Sequence, residues 1–185
     1  MKRKVSHVFV LIFAVQLLTA CCDDETIEIT ITGMESRALT LDGFRFVEID
    51  NQTPINKEDL ILEVLFTQVQ GVASCACHQK QVLTAAVVPS CDPEIVYTQS
   101  IETFTVALLD VDNNNARIDI TDRVVIEGTQ LSVFDFIANS SPAIENLLLE
   151  LSDTNNLPNR VTYVVEASLS DGTEISTTGG IIQFN

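Results

Sequence analysis

The sequence has no tryptophan and few basic residues. Ten lysines and arginines stand against 26 aspartates and glutamates, which gives a formal net charge of −16. A chain this acidic repels the phosphates of nucleic acids. Tyrosine occurs only as Tyr97 and Tyr163, so the aromatic platforms common in sugar-binding clefts are scarce. These shortages argue against nucleic-acid binding and against an aromatic-lined glycan cleft.

Histidine is equally scarce, and this limits the possible chemistry. If His7 lies in a cleaved leader, His78 is the one histidine left, which excludes a two-histidine metal site and leaves little for a nucleophilic triad. The sequence contains no G-x-S-x-G motif, no P-loop and no G-x-G-x-x-G motif. Paired carboxylates for glycoside hydrolysis stay possible because acids are plentiful. We expect no catalytic role and assign no catalytic residue.

Long apolar runs occur once, at the amino terminus. Lys2, Arg3 and Lys4 precede an almost wholly apolar stretch, residues 8–20. This run is shorter than the roughly 20 apolar residues that cross a bilayer. Its basic start and small last residues are typical of a secretory signal. We predict a signal peptide over residues 1–20, with an uncleaved membrane anchor as the alternative.

The end of this segment, Leu18–Cys21, resembles a bacterial lipobox, in which the cysteine is acylated and becomes the first residue of the mature protein. Several acyl chains such as palmitate hold a protein stably, at about 0.8 kcal/mol per buried CH₂. Cys21 is therefore the predicted lipidation site, and a plain cleavage site after Ala20 is the alternative. Loss of residues 1–20 would leave 165 residues and, with three basic residues gone, change the charge from −16 to −19.

Three acids, Asp23, Asp24 and Glu25, follow the cysteines and make residues 21–25 an acidic tether. Attraction to anionic lipid headgroups does not explain them, because acids are repelled there. They resemble the acidic export tag that follows the lipidated cysteine in Bacteroidetes lipoproteins displayed on the cell surface. The alternative is a solvated, flexible tether without an export role.

The remaining residues, 26–185, predict a single domain of β-strands. Alternating or short apolar runs mark strands at 26–32, 43–49, 59–66, 100–111, 117–120, 124–126, 146–151 and 160–169. A phase change within 100–111 predicts a bulge or a bend, and Asp171–Gly172 predicts a tight turn into a returning strand at 173–184. This series of short strands separated by turns favours an all-β, immunoglobulin-like β-sandwich, with a closed antiparallel barrel as the alternative.

One short helix is predicted at residues 131–138. Thr129 could cap its amino end. Leu131, Phe134 and Ile137 would share its apolar face, because residues three or four apart lie on the same side of a helix.

Three cysteines, Cys75, Cys77 and Cys91, gather near His78 in mid-chain. In an exported protein they are disulfide candidates. A bond from Cys91 to either of the others would close a loop of roughly 15 residues and contribute about 3 kcal/mol in the chain-entropy model. Unpaired thiols, a Cys₃His zinc site and redox exchange remain open alternatives.

A calcium site is a weaker prediction. Asp110, Asp112 and Asn114 match the first three ligand positions of an EF-hand loop. Asn115 stands where that loop needs glycine, and Thr121 stands where it needs the bidentate glutamate. A calcium loop of another kind, or a polar connection rich in turn-forming residues, stays open. We predict no cofactor, with calcium as the alternative.

Several motifs in order resemble one family, a group of short Bacteroidetes lipoproteins classed as a domain of unknown function. They are "TACCDDE" (19–25), "ASCAC" (73–77), "IETFTVALLDVDNNNARIDITD" (101–122), "FDFIANS" (134–140) and "NRVTYVVEASLSDGTEISTT" (159–178). The resemblance implies a lipid-anchored outer-membrane protein facing the cell exterior. It carries no known activity or site residues.

Together these features predict a binding or structural module of the cell envelope. Its partner would be an envelope protein or a glycan, and its contact with the membrane would be the lipid anchor. The alternative is an accessory glycan-capture protein or hydrolase of a polysaccharide-uptake system.

Overall fold

The computed structural model describes residues 26–51, 53–73, 94–140 and 144–185. The chain divides into two compact units. The larger unit comprises residues 29–69 and 97–185, and the described part of the smaller one comprises residues 26–28, 70–73 and 94–96. The predicted signal peptide and acidic tether lie outside the described residues, and the single domain over 26–185 stays a prediction.

Most of the described chain is in strands, which are joined by turns and one α-helix. Two 3₁₀ turns, at Lys57–Asp59 and Thr121–Arg123, precede strands, and the helix α1 covers Val133–Asn139. The strands are β1 (Thr26–Asp42), β2 (Arg45–Glu48), β3 (Ile61–Ala73), β4 (Glu94–Tyr97), β5 (Ile101–Asp110), β6 (Ala116–Asp119), β7 (Val124–Ile126), β8 (Asn146–Leu151), β9 (Arg160–Leu169), β10 (Glu174–Thr178) and β11 (Ile182–Gln183).

The strands form two antiparallel sheets, and the predicted all-β sandwich is confirmed. The first sheet has the order β2-β1-β3-β8-β7, with β4 also paired to β1. The second sheet has the order β10-β9-β5-β6, with β11 also paired to β9. When β2, β4, β6 and β11 are set aside, the other seven strands follow the immunoglobulin order. The first, second, fifth and fourth of them (β1, β3, β8 and β7) form one sheet, and the seventh, sixth and third (β10, β9 and β5) form the other. Strand β6 is an additional strand beside β5.

Alternating side chains of both sheets form one core in the larger unit. Along β9 every second residue is buried, from Val161 to Leu169, and the same holds for Leu62, Val64 and Phe66 of β3. Each buried valine, leucine or phenylalanine among them contributes roughly 1.5–3 kcal/mol on burial. The predicted bulge is also confirmed, because the pairing of β5 with β9 shifts register between Ile101 and Thr103.

The helix is present, but its predicted cap and apolar face are wrong. Ser132 is the N-cap, and its Oγ accepts a hydrogen bond from the backbone N–H of Asp135 at 3.1 Å. The Thr129 hydroxyl instead donates to the carbonyl of Ile126 at 2.9 Å and closes the turn before the helix. Leu131 precedes the helix and is exposed, as is Phe134, while Val133 is 1% exposed. Of the predicted face, Ile137 packs against the core.

Three strand predictions need correction. The first strand does not end at residue 32, because β1 continues to Asp42 and pairs with β2 in a hairpin. The returning strand predicted at 173–184 is divided into β10 and β11, and Gly179 lies between them. The short strand β4 was not predicted. Among the described residues, no helix is long and apolar enough to span a membrane.

Candidate functional site

The outer face of the second sheet carries a shallow polar depression of about 500 Å³. It lies over β5, β9 and β10, and most of its lining side chains are hydroxyls or carboxylates. The lining residues are Thr103, Thr105, Glu166, Ala167, Ser168, Glu174, Ile175 and Ser176.

Strand register assembles this depression from distant parts of the chain. Ser168 of β9 lies between Thr103 of β5 and Glu174 of β10, and Glu166 lies in the same way between Thr105 and Ser176. Successive residues of a strand point to opposite faces. The buried residues between these positions enter the core, so the polar ones must face outward.

Hydrogen bonds fix the side chains at the centre of the depression. The hydroxyls of Thr103 and Ser168 are 2.5 Å apart, and Thr105 Oγ1 donates to Glu166 Oε2 at 3.3 Å. Arg117 of β6 donates from Nη1 and Nη2 to the two carboxylate oxygens of Glu166, at 3.0 and 2.6 Å. This two-pronged pairing fixes the orientation of the Glu166 carboxylate.

The charge state of Glu166 follows from these contacts. The hydrogen bond from Arg117 is the main cause that lowers the pKa of Glu166, and Thr105 acts in the same direction. The same bond raises the pKa of Arg117. Both side chains remain nearly half exposed, so the pair contributes at most about 1 kcal/mol to stability. Glu166 is therefore an ionised hydrogen-bond acceptor at neutral pH.

This arrangement is suited to binding more than to acid catalysis. A general acid needs a pKa raised toward neutrality, and the shift of Glu166 has the opposite sign. The lining residues of the depression offer hydroxyl donors and acceptors, a second carboxylate at Glu174 and no aromatic side chain. It can accept hydrogen bonds from a polyhydroxylated or cationic group, but it cannot stack on a sugar ring.

A buried glutamine holds the first strand near one end of this sheet. Gln99 is the one polar residue buried in the part of the chain that the structure describes. Its Oε1 accepts from the N–H of Ile31 at 2.8 Å, and its Nε2 donates to Asp171 Oδ2 at 2.5 Å. The backbone N–H of Thr173, with Gln99 as a second donor, lowers the pKa of Asp171.

Sequence reasoning missed both the depression and Gln99. Glu166 is 61 residues from Thr105 and 49 from Arg117, and no local motif joins positions so far apart. The sequence did show that polar residues alternate with the apolar ones along β5 and β9. That alternation is common to every half-exposed strand, so it does not single out a site.

The predicted sites at the amino terminus and in mid-chain fall outside the described residues. These are the lipidation site Cys21, the export-tag acids Asp23, Asp24 and Glu25, and the disulfide candidates Cys75, Cys77 and Cys91. Their roles stay predictions.

The candidate calcium residues lie where β5 turns toward β6. The N–H of Asp112 donates to Asp110 Oδ1 at 3.1 Å, and Asp112 Oδ1 accepts from Arg160 Nη1 at 3.4 Å. Asn114 has a φ of 51°, as expected in a tight turn. Within the described ranges, no three or more His, Cys, Asp or Glu residues are grouped as a metal site. The carboxylates of Asp110 and Asp112 thus already accept hydrogen bonds from within the protein. The calcium hypothesis stays a prediction.

Comparison of the chain with protein-family models, with curated proteins and with solved structures finds no significant match. The resemblance to Bacteroidetes lipoproteins therefore depends on the motifs alone.

Proposed function

We propose that this chain is a lipid-anchored binding module of the cell envelope, carried on the outer membrane and facing the cell exterior. The observation that carries the proposal is the order of features at the amino terminus. The lipobox-like Leu18–Cys21 and the acids of residues 23–25 come immediately before β1, which begins at Thr26. Such an order suits a folded domain held at a membrane by a short tether.

The polar depression over β5, β9 and β10 is the proposed binding site. The Glu166 carboxylate is held by Arg117 and Thr105, so it is presented to a ligand in one orientation. The ligand would be an envelope protein or a glycan. In this proposal the chain is not an enzyme, does not bind nucleic acid and needs no cofactor.

The anchor is tested by metabolic labelling with radioactive palmitate. We expect label in the wild type and in the Cys22→Ser control, and no label in Cys21→Ser, which should leave the membrane fraction. A Cys21→Ser chain that keeps both its label and its membrane location would contradict the proposal. Protease treatment of intact cells then tests orientation, because a surface protein should be digested without lysis.

A second candidate function is glycan capture, or hydrolysis, in a polysaccharide-uptake system. The hydroxyls that line the depression favour this candidate, because sugar hydroxyls need alternating donors and acceptors. The test is calorimetric titration with soluble polysaccharides. Saturable binding that Glu166→Gln weakens and Glu102→Gln leaves unchanged would support capture, and release of reducing ends would support hydrolysis.

A further inference from the structure

The hairpin of β1 and β2, residues 39–48, extends past the core. Leu39 is buried, but Leu41, Phe44, Phe46 and Val47 are exposed, and Phe44 at the turn is fully exposed. All four residues of β2 are exposed. Clustered apolar side chains on a surface mark interaction sites more often than chance. These side chains are about half exposed or more, so much of their apolar surface is available to a partner.

The outer edge of β2 is also open. The N–H of Ile49 donates to the carbonyl of Ala38 at 2.9 Å. In an antiparallel pair, hydrogen-bonded and non-bonded residue pairs alternate, so Val47 and Arg45 bond to β1. The main-chain groups of Phe46 and Glu48 therefore point away from β1. The order of the first sheet ends at β2, and no strand among the described residues covers this edge.

The apolar side chains lie where they would contact a strand added to that edge. Leu41 and Phe46 are directly opposite each other in the hairpin, so they lie on the same face. A residue that hydrogen-bonds to the outer edge at Phe46 would lie on this face too. The hairpin thus offers an added strand both main-chain hydrogen-bonding groups and an apolar row formed by Leu41 and Phe46. These are the two components of recognition by strand addition.

We propose that the β1–β2 hairpin is a docking edge for an extended segment of a partner protein, which adds as a strand beside β2. The segment is apolar at alternate residues and basic at its ends. The hairpin carries Asp42 and Glu48 against Arg45 alone, and the whole chain has a net charge of −16. A basic segment is attracted by this field, whereas an anionic bilayer is repelled.

A second copy of the chain fits this edge less well. Two identical edges pair with two-fold symmetry in the antiparallel arrangement, and this would turn the two β1 strands in opposite directions. From Ile29 to Asp42, β1 spans about 43 Å at roughly 3.3 Å per residue. The amino ends of the two β1 strands would then lie far apart. Two chains that each carry a net charge of −16 would also repel one another, whereas a basic segment is attracted.

The test uses the full chain in detergent micelles and the capped peptide Lys-Val-Thr-Val-Thr-Val-Lys. We expect saturable binding that slows hydrogen exchange at residues 45–48 by about tenfold or more. A valine opposite Phe46 must bond to β2, so N-methylation of the valines should weaken binding at least about tenfold. N-methylation of the threonines should leave it unchanged. Equal binding by both methylated peptides would overturn the proposal.

Variants separate this edge from other exposed apolar side chains. Phe46→Ser should weaken peptide binding about tenfold or more, since a phenylalanine contact is lost. The matched control Phe134→Ser removes a similarly exposed side chain from α1 and should bind as the wild type does. Unchanged peptide binding by Phe46→Ser would contradict the proposal. The proposal would also be contradicted if the wild type bound anionic vesicles or formed dimers and Phe46→Ser abolished that binding or that dimer. Because peptide binding needs no lipid, failure of the palmitate test would leave this result intact.

Discussion

Tyr163 and Gly179 define a point in the larger unit where two segments come unusually close. Tyr163 is 1% exposed, and its carbonyl accepts from the N–H of Gly179 at 2.9 Å. A Cβ built on Gly179 would lie 1.9 Å from Cζ of the tyrosine ring. Burial raises the pKa of Tyr163, so the ring remains neutral. Glycine is therefore required where β10 ends, and the strand divides there.

Gly179→Ala should lower the free energy of unfolding by about 1–3 kcal/mol, because overpacking a buried ring forces the surrounding chain to shift. Chemical denaturation measures this change. Gly180→Ala is the matched control. Its Cβ would meet the Asn51 side chain at 3.1 Å, and that side chain can move, so a loss under about 1 kcal/mol is expected. Equal losses in the two variants would contradict this account.

Among the elements, α1 depends on Ser132, the N-cap residue that precedes it. It has only seven residues, and helices this short are not stable without capping and packing. Ser132 Oγ both accepts from the N–H of Asp135 and donates to its carboxylate, the latter at 2.7 Å. The two residues thus satisfy each other's hydrogen-bonding groups at the amino end of the helix.

Ser132→Ala should destabilise the protein by about 0.5–2 kcal/mol, the range measured for loss of an N-cap. Thermal unfolding followed by circular dichroism gives the value. The control is Ser140→Ala at the other end of α1, where no hydrogen bond of the serine side chain is formed with any described residue. We expect this control to unfold within about 0.5 kcal/mol of the wild type. If Ser140→Ala cost as much as Ser132→Ala, the cap would not explain the loss.

Elements that bury one face were predictable from sequence, and those that depend on competing local bonds were not. The alternation in β9 allows only one pairing register, because a shift of one residue would expose all the apolar side chains of the strand. In contrast, Thr129 and Ser132 are both good caps, and only the turn bond from Thr129 to Ile126 decides between them. The site around Glu166 depends on pairing between strands far apart in sequence, and residue types alone do not reveal that pairing.

At the scale of the whole molecule, acid should unfold the protein through its carboxylates. The pKa values of Asp119, Asp153, Glu166 and Asp171 are all lowered from ordinary values of 3.8 for aspartate and 4.5 for glutamate. The folded state therefore favours their ionised forms. Their contribution is present above about pH 4.5 and disappears as the pH falls through the folded pKa values.

Glu166→Gln isolates one part of this effect. At pH 7 the variant loses the ion pair with Arg117, which costs roughly 0.2–1 kcal/mol for an exposed pair. As the pH falls below 4.5 and then through the lowered pKa of Glu166 in the folded state, the wild-type carboxylate becomes protonated and loses the same pair, so the two unfolding curves should converge. Thermal unfolding between pH 7 and pH 2.5 measures the convergence. Glu102→Gln, on the same sheet and without a salt bridge to any described residue, should follow the wild type throughout. A difference between Glu166→Gln and wild type that stayed constant over this range would show that Glu166 acts through packing and not through its charge.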